Sequence, residues 1–373
     1  MDEVRSEFPI VKAMAYFDIA YGNPLPNCAR EDMTLFLEIL QEKGCSIARA
    51  SAYEKLDEVR NKFANLINAK PSEIAFVKNT SEGLNIAANG IKYEPGDNVV
   101  LNELEHLNNV FCWLRLRKKG VEIRIVPQKN GRVELNDIAS NVDSRTKAVS
   151  VASTTNLGFR FDLQKLGKIC SENSAYLVVD AIQSLGLDPL DVKNVGVDML
   201  SSSAHKGLLG PHGIGFFYCN EDIIDDIKPM SVARTSYEDI EDPKNANLKH
   251  SAEKFEGGNY NCVGVYGVGA GLTLLEKMDI EEVKRHSFEL SEKFREGLMS
   301  LGANVTNSIN KEERSHIVTF NLLGKSIEEV KKLLEKNKVR VSTHYGIVRA
   351  SFAHYNTIGE VENSLEIIKN IIS

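Results

Sequence analysis

The segment Ser201-Ser202-Ser203-Ala204-His205-Lys206-Gly207 sets a lysine among hydroxyls, an imidazole and a glycine, directly after an apolar run that ends at Leu200. A lysine so placed suits Schiff-base chemistry: its amine condenses with a carbonyl, while Ser203 and His205 can hold a nearby phosphate. Upstream, Tyr176-Leu177-Val178-Val179-Asp180 reads as a buried strand ending in a carboxylate, with Gln183 close behind. Ligands of open α/β sheets bind outside the carboxyl ends of the strands, so Asp180 and Lys206 would face one site. Pyridoxal phosphate needs such a carboxylate. An ionised Asp keeps the pyridine nitrogen protonated, and the protonated ring accepts electrons from a substrate Cα. Asp180 alone is equally a helix N-cap, and Lys206 alone a solvated loop lysine. The pair favours the cofactor reading.

Five other residues join them. Thr80 and Ser81 stand where a strand turns into a helix, and exposed amides plus the helix dipole attract an anion there. His106 follows another strand end, and its flat ring can lie against a pyridine. Asn156, in Ser153-Thr154-Thr155-Asn156-Leu157-Gly158, can donate to a ring hydroxyl oxygen, or serve as a plain turn residue. Arg349 interrupts the apolar run Ile347-Val348-Arg349-Ala350-Ser351. A guanidinium in such a strand needs an anionic partner: an internal acid, or a substrate carboxylate gripped in bidentate fashion.

The elements that must position these groups are legible from periodicity. Strands are predicted at Ile74 to Val77, Asn98 to Leu101, Val121 to Val126, Ala148 to Ala152, Tyr176 to Val179, Val197 to Leu200 and Ile214 to Tyr218. They alternate with helical segments such as Tyr53 to Ala69 and Leu163 to Glu172. That alternation predicts an α/β fold with a mostly parallel, seven-stranded sheet covered on both faces. After Asn261 the texture changes to a long helical stretch broken near Met278-Asp279. A strand (Ile317 to Leu322), a helix (Ile327 to Lys336), strands at Val339 to Ser342 and Ile347 to Ser351, and a last helix (Ile358 to Ile372) follow, a smaller α+β unit. The expected division is 15–262 for the large cofactor-binding domain, with 1–14 and 263–373 forming the small one.

Composition narrows the function classes. The chain has 373 residues, room for two domains. Its net charge is −7, and the only basic cluster, Arg115, Arg117, Lys118 and Lys119, is a short helix-end face, so no nucleic-acid partner is expected. Neither a secretory leader nor an apolar run of roughly 20 residues is present, so no membrane partner and a cytoplasmic location are expected. The six cysteines are scattered without a Cys-x-x-Cys pair, so no metal site is expected.

Taken together, the motifs resemble the class V aminotransferase family, which includes cysteine desulfurases, kynureninase and isopenicillin-N epimerase. The resemblance runs from Tyr16-Phe17-Asp18-Ile19-Ala20 to Arg349-Ala350-Ser351 and Tyr355-Asn356-Thr357. It implies the fold type I pyridoxal-phosphate architecture and a homodimer with active sites at the interface. It also implies roles. Lys206 would match the Schiff-base lysine, Asp180 the partner of the ring nitrogen, and Gln183 and Asn156 the residues at the ring oxygen. His106 would match the stacking histidine, and Thr80, Ser81, Ser203 and His205 the phosphate-side groups. Arg349 would match the arginine that holds the substrate α-carboxylate.

Three departures bear on the reaction. Asn259 in Phe255-Glu256-Gly257-Gly258-Asn259-Tyr260-Asn261 stands where the family has a threonine that reaches the phosphate of the neighbouring subunit. Val341-Ser342-Thr343-His344-Tyr345-Gly346 holds no cysteine where desulfurases carry their nucleophile. Ala20-Tyr21-Gly22-Asn23-Pro24 replaces the desulfurase asparagine-alanine pattern, which makes Tyr21 a candidate specificity residue. The leading expectation is an aminotransferase acting on a small amino acid and a 2-oxo acid, with Lys206 as general base. The alternatives are a lyase (cysteine desulfurase-like or C–S lyase) and an amino-acid epimerase, which share its first steps. A cofactor-binding sensor would call for a basic DNA-binding extension, which this chain lacks.

Overall fold

The computed structural model describes residues 2–238, 240–306 and 310–372. Its large sheet has seven strands in the order Ile74–Val77, Gly215–Cys219, Met199–Ser203, Tyr176–Asp180, Thr146–Ala152, Asn98–Asn102 and Glu122–Val126. Gly215–Cys219 runs antiparallel to both its neighbours; the other pairs are parallel. The expected mostly parallel sheet is therefore present, and each predicted strand lies within three residues of its observed place.

Burial on both faces explains why these strands read as unbroken apolar runs. Neighbouring side chains alternate between two cores. Val179, Phe216 and Val100 pack with Val59 and Phe63 of helix Cys45–Leu66 and with Val265, Val268 and Leu272 of helix Cys262–Glu276. Val178, Phe217 and Val99 pack on the opposite side with Leu84 and Ile86 of helix Thr80–Gly90 and with Trp113. Pairing in register brings Ala152 beside Asp180 and Asp180 beside Ser201, so the carboxyl ends of three adjacent strands open at one edge.

A separate core, with Phe17, Leu290, Phe294, Val318, Phe320, Val348 and Phe352, defines the smaller unit. Helix Cys262–Glu276 packs Val265, Val268, Leu272 and Leu275 into the large core. The single strand expected over Val339 to Ser342 is two. Val339–Arg340 pairs in parallel with Ala15–Tyr16, while Ser342–His344 pairs antiparallel with Ile347–Ser351. Tyr345 and Gly346 join the latter pair as a two-residue hairpin turn, both with positive φ (46° and 76°), as a type I′ connection requires. Among the described residues no helix is long and apolar enough to cross a membrane.

Candidate active site

A cavity of about 410 Å³ opens at the carboxyl edge of the sheet. That size is typical of small-ligand sites. Tyr21, Thr80, Ser81, His106, Asn156, Asp180, Gln183, Ser203, His205, Lys206 and Arg349 all line it, so residues scattered over most of the sequence converge on one space. Asn259 does not. It lines a neighbouring cleft with Gly257, Gly258 and Tyr260, and its Oδ1 accepts from Arg49 Nη2 at 3.4 Å.

The floor is built from two strand ends held together by their backbones. Asp180 ends its strand buried, and its Oδ1 accepts from Ile182 N–H at 3.1 Å. Lys206 lies just past Met199–Ser203, and its carbonyl accepts from Leu209 N–H at 3.0 Å. Leu209 closes this turn with φ +59°, a left-handed conformation uncommon for a leucine and characteristic of functional turns. Burial and the nearby Arg349 cation pull the Lys206 ammonium pKa down, against the opposing attraction of Asp180. Burial pushes the Asp180 carboxyl up, while the Ile182 amide and Lys206 hold it back.

One wall is the start of helix Thr80–Gly90. Asn79 caps it, accepting from Glu82 N–H at 3.0 Å. The backbone N–H of Thr80 donates to Ser203 Oγ at 2.8 Å, and the Thr80 and Ser203 hydroxyls are also 2.8 Å apart. Helix N-terminus, hydroxyls and His205 thus form one donor-rich patch suited to a phosphate. The His205 ring stacks on His212 at 4.1 Å, and burial, His212 and Lys206 lower its pKa to about 3. His106 caps helix Leu107–Leu114: its Nδ1 accepts from Asn108 N–H at 3.2 Å. That bond leaves a neutral ring with its proton on Nε2, and burial with Lys206 and Arg349 nearby lowers the pKa further in that direction.

The opposite wall comes from the smaller unit. Arg349 is 4% exposed, donates through Nε to Ser342 Oγ at 3.1 Å and through Nη1 to the Asn156 carbonyl at 3.1 Å. Among the described residues no carboxylate lies at ion-pair distance from it; the buried Asp18 acts on it from further away, through the Ser342 hydroxyl that both meet. Burial lowers its pKa and Asp18 partly restores it. Tyr21, 71% exposed, sits at the mouth on a turn anchored by Asn23 N–H donating to the His205 carbonyl at 2.8 Å.

Sequence reasoning missed Asn79, Asn108, Ile182, His212 and His344, which also line the cavity. Ile182 and His212 lie within or next to segments already singled out. His344 carries no local signal; only folding brings it to 2.5 Å from Asn156.

The donor set fits a pyridoxal phosphate group. A carboxylate, an amine and a phosphate-type patch share one cavity. Gln183 Oε1 and Asn156 Oδ1 are buried without hydrogen-bond partners, leaving polar atoms for a ligand to meet.

Comparison with known proteins places this arrangement. A sequence profile of the family described as Aminotransferase class-V matches residues 15–363. A probable cysteine desulfurase of Methanothermobacter thermautotrophicus is 31% identical over 395 residues, covering 99% of this chain and 98% of the relative. A probable cysteine desulfurase of Pyrococcus abyssi is 32% identical over 392 residues, covering 100% of this chain and 97% of the relative. The apo structure of a cysteine desulfurase from Thermococcus onnurineus matches with TM-score 0.92 at 30% identity, covering 100% of this chain and 98% of that one.

Proposed function

The chain belongs to the class V aminotransferase family, and on that premise we propose that it is a pyridoxal-phosphate enzyme that breaks the Cβ–S bond of a cysteine-type amino acid. The sulfur passes to an acceptor from solution, not to a cysteine of the chain. The relatives described above carry the name cysteine desulfurase, which supports the lyase alternative over the aminotransferase first expected from the residues.

What carries the reading is Arg349, a buried guanidinium with no carboxylate at ion-pair distance among the described residues, in the cavity that also holds Lys206. Such a group calls for a small carboxylate ligand, and its two-pronged grip fixes where the ligand's Cα stands. Pyridoxal phosphate, when bound, supplies the aldehyde and an electron-accepting ring. Lys206 Nζ would hold the aldehyde and later carry a proton to and from the substrate Cα; its lowered pKa keeps a neutral amine available near neutral pH. Asp180 would sit against the ring nitrogen, with Gln183 and Asn156 at the ring oxygen and His106 on the ring face. Thr80, Ser81, Ser203 and His205 would hold the phosphate, and Tyr21 would meet the substrate at the entrance.

The fate of the sulfur follows from the cysteines. Cys112, Cys170 and Cys219 are buried, Cys28 and Cys262 half-buried and Cys45 exposed, and none lines the cavity. With an external thiol the balanced reaction is cysteine + RSH → alanine + RSSH. A homodimer and a cytoplasmic location complete the proposal. Leu35, Leu37, Leu40 and Ile47 are exposed apolar side chains on neighbouring helices, and Asn259 lies outside its own cavity, as a residue serving a second copy would.

The test is to load the purified protein with pyridoxal phosphate and supply cysteine with dithiothreitol. Sulfide release at steady state supports the proposal. Stoichiometric conversion of the cofactor to pyridoxamine phosphate, reversed by a 2-oxo acid, would reject it in favour of transamination.

A further inference from the structure

We propose that His344 is a positioning residue for the cofactor, acting through the side-chain amide of Asn156 and fixing which end of that amide meets the cofactor's ring oxygen. The inference rests on the reading above that pyridoxal phosphate occupies this cavity.

His344 lies at the end of strand Ser342–His344, beside the two-residue turn, and its ring packs on Tyr345 at 4.1 Å. Its plane is within 9° of that of His106, with the ring centres 6.5 Å apart. His344 Nε2 and Asn156 Nδ2 are 2.5 Å apart, and Asn156 Oδ1 has no partner. The two ends of an amide exchange places by a half turn that moves no neighbour. In one arrangement Nδ2 donates to a bare His344 Nε2. The amide oxygen is then left for a ring oxygen that is itself an acceptor, and two acceptors repel. In the other, His344 Nε2–H donates to Oδ1, and Nδ2 is free to donate to the ring oxygen. Only the second satisfies every polar atom, and a buried acceptor without a donor is costly.

His344 can play this part because it holds a single proton: burial, with Arg349, His106 and Lys206 nearby, lowers its pKa to about 4. The same asparagine also receives Arg349 on its backbone carbonyl. His344 thereby ties the ring oxygen and the carboxylate grip to one hairpin.

The experiment titrates the protein with pyridoxal phosphate, reading affinity and the visible absorption band, for wild type, Asn156→Ala, His344→Phe, His344→Gln and the Asn156→Ala/His344→Phe double variant. Asn156→Ala and His344→Phe should each weaken binding about tenfold, the worth of one buried hydrogen bond, and shift the band in the same direction. The double variant should be no worse than the poorer single one. His344→Gln, whose amide can donate to Oδ1, should return affinity to within about twofold of wild type. An unchanged band and affinity in His344→Phe, or losses that add in the double variant, would overturn the inference. Should His344→Phe fail to fold by circular dichroism, the imidazole nitrogen chemical shifts of the loaded wild type decide: a proton on Nε2 upholds it and one on Nδ1 overturns it. Wild type that takes up no pyridoxal phosphate would instead remove the reading on which the inference rests.

Discussion

Gly186 and Gly207 meet backbone to backbone beneath the cavity. A Cβ on Gly186 (φ +82°) would stand 2.0 Å from the Gly207 carbonyl oxygen, and one on Gly207 would stand 2.1 Å from that of Leu185. The loop behind Asp180 and the loop carrying Lys206 are thus packed closer than any side chain allows. Gly186→Ala must strain its own φ and push this contact apart, at a cost of about 2–4 kcal/mol. Thermal melting should fall by several degrees and cofactor uptake should drop with it; an unchanged melting temperature would show that the loops are free to part.

Lys206→Ala should leave a folded protein without covalent cofactor. Borohydride reduction of the loaded wild type, followed by peptide mass mapping, should label Lys206 alone. A label on another lysine would displace it from the role proposed.

Arg349→Ala should raise KM for the amino acid about a hundredfold, the loss of a bidentate charged contact worth roughly 2–3 kcal/mol. Bound cofactor should stay near wild-type content. Loss of cofactor instead would mark Arg349 as a support for Asn156, whose carbonyl it holds.

Replacing Cys28, Cys45 and Cys262, the three cysteines that are not fully buried, with serine should leave sulfide release from cysteine within about twofold of wild type, since no thiol in reach of the cavity is removed. With excess dithiothreitol, alanine should accumulate in step with sulfide. A tenfold fall in any of these variants would show that the chain does carry the sulfur itself.

The buried histidines draw stability down in acid. Burial holds His316 and His354 neutral, with pKa values lowered to about 3, while an unfolded histidine titrates near 6.5. Between those values the unfolded chain binds more protons, so stability is complete above pH 6.5 and is lost as pH drops, at about 1.4 kcal/mol per unit for each histidine. Buried carboxyls run the other way: burial pushes Asp18, Asp180 and Asp198 up to about 6 and Glu105 to about 7, so they take up protons in the folded chain first and oppose the histidines as pH falls. The prediction is therefore for the difference between variants: His354→Leu should raise the melting temperature at pH 5 relative to its value at pH 7, compared with wild type. A difference between the two pH values left unchanged by that substitution would exclude His354 as a source.

The sheet was legible because its strands are apolar on both faces; Leu177, Val178 and Val179 announce a buried strand without help from the rest of the chain. Most cavity residues were legible because strand ends are where ligands of such sheets bind. Helix Asn27–Lys43 was not, since Leu35, Leu37 and Leu40 point outward and spoil the periodicity that marks a buried face. Nor was His344, which gains its meaning only from Asn156, a partner 188 positions away. The hairpin at Tyr345-Gly346 lacked the Asn-Gly or Asp-Gly pair that usually advertises such a turn.

That hairpin turn has the shortest length able to reverse a strand. Lengthening an exposed tip costs little, about 0.6 kcal/mol per doubling of its residues, so folding alone does not demand this brevity. A longer tip would act as a swinging arm and ferry its cargo away on the polypeptide. The short form has no arm, so on the reading proposed above the sulfur would have to leave with a small acceptor that enters the cavity itself.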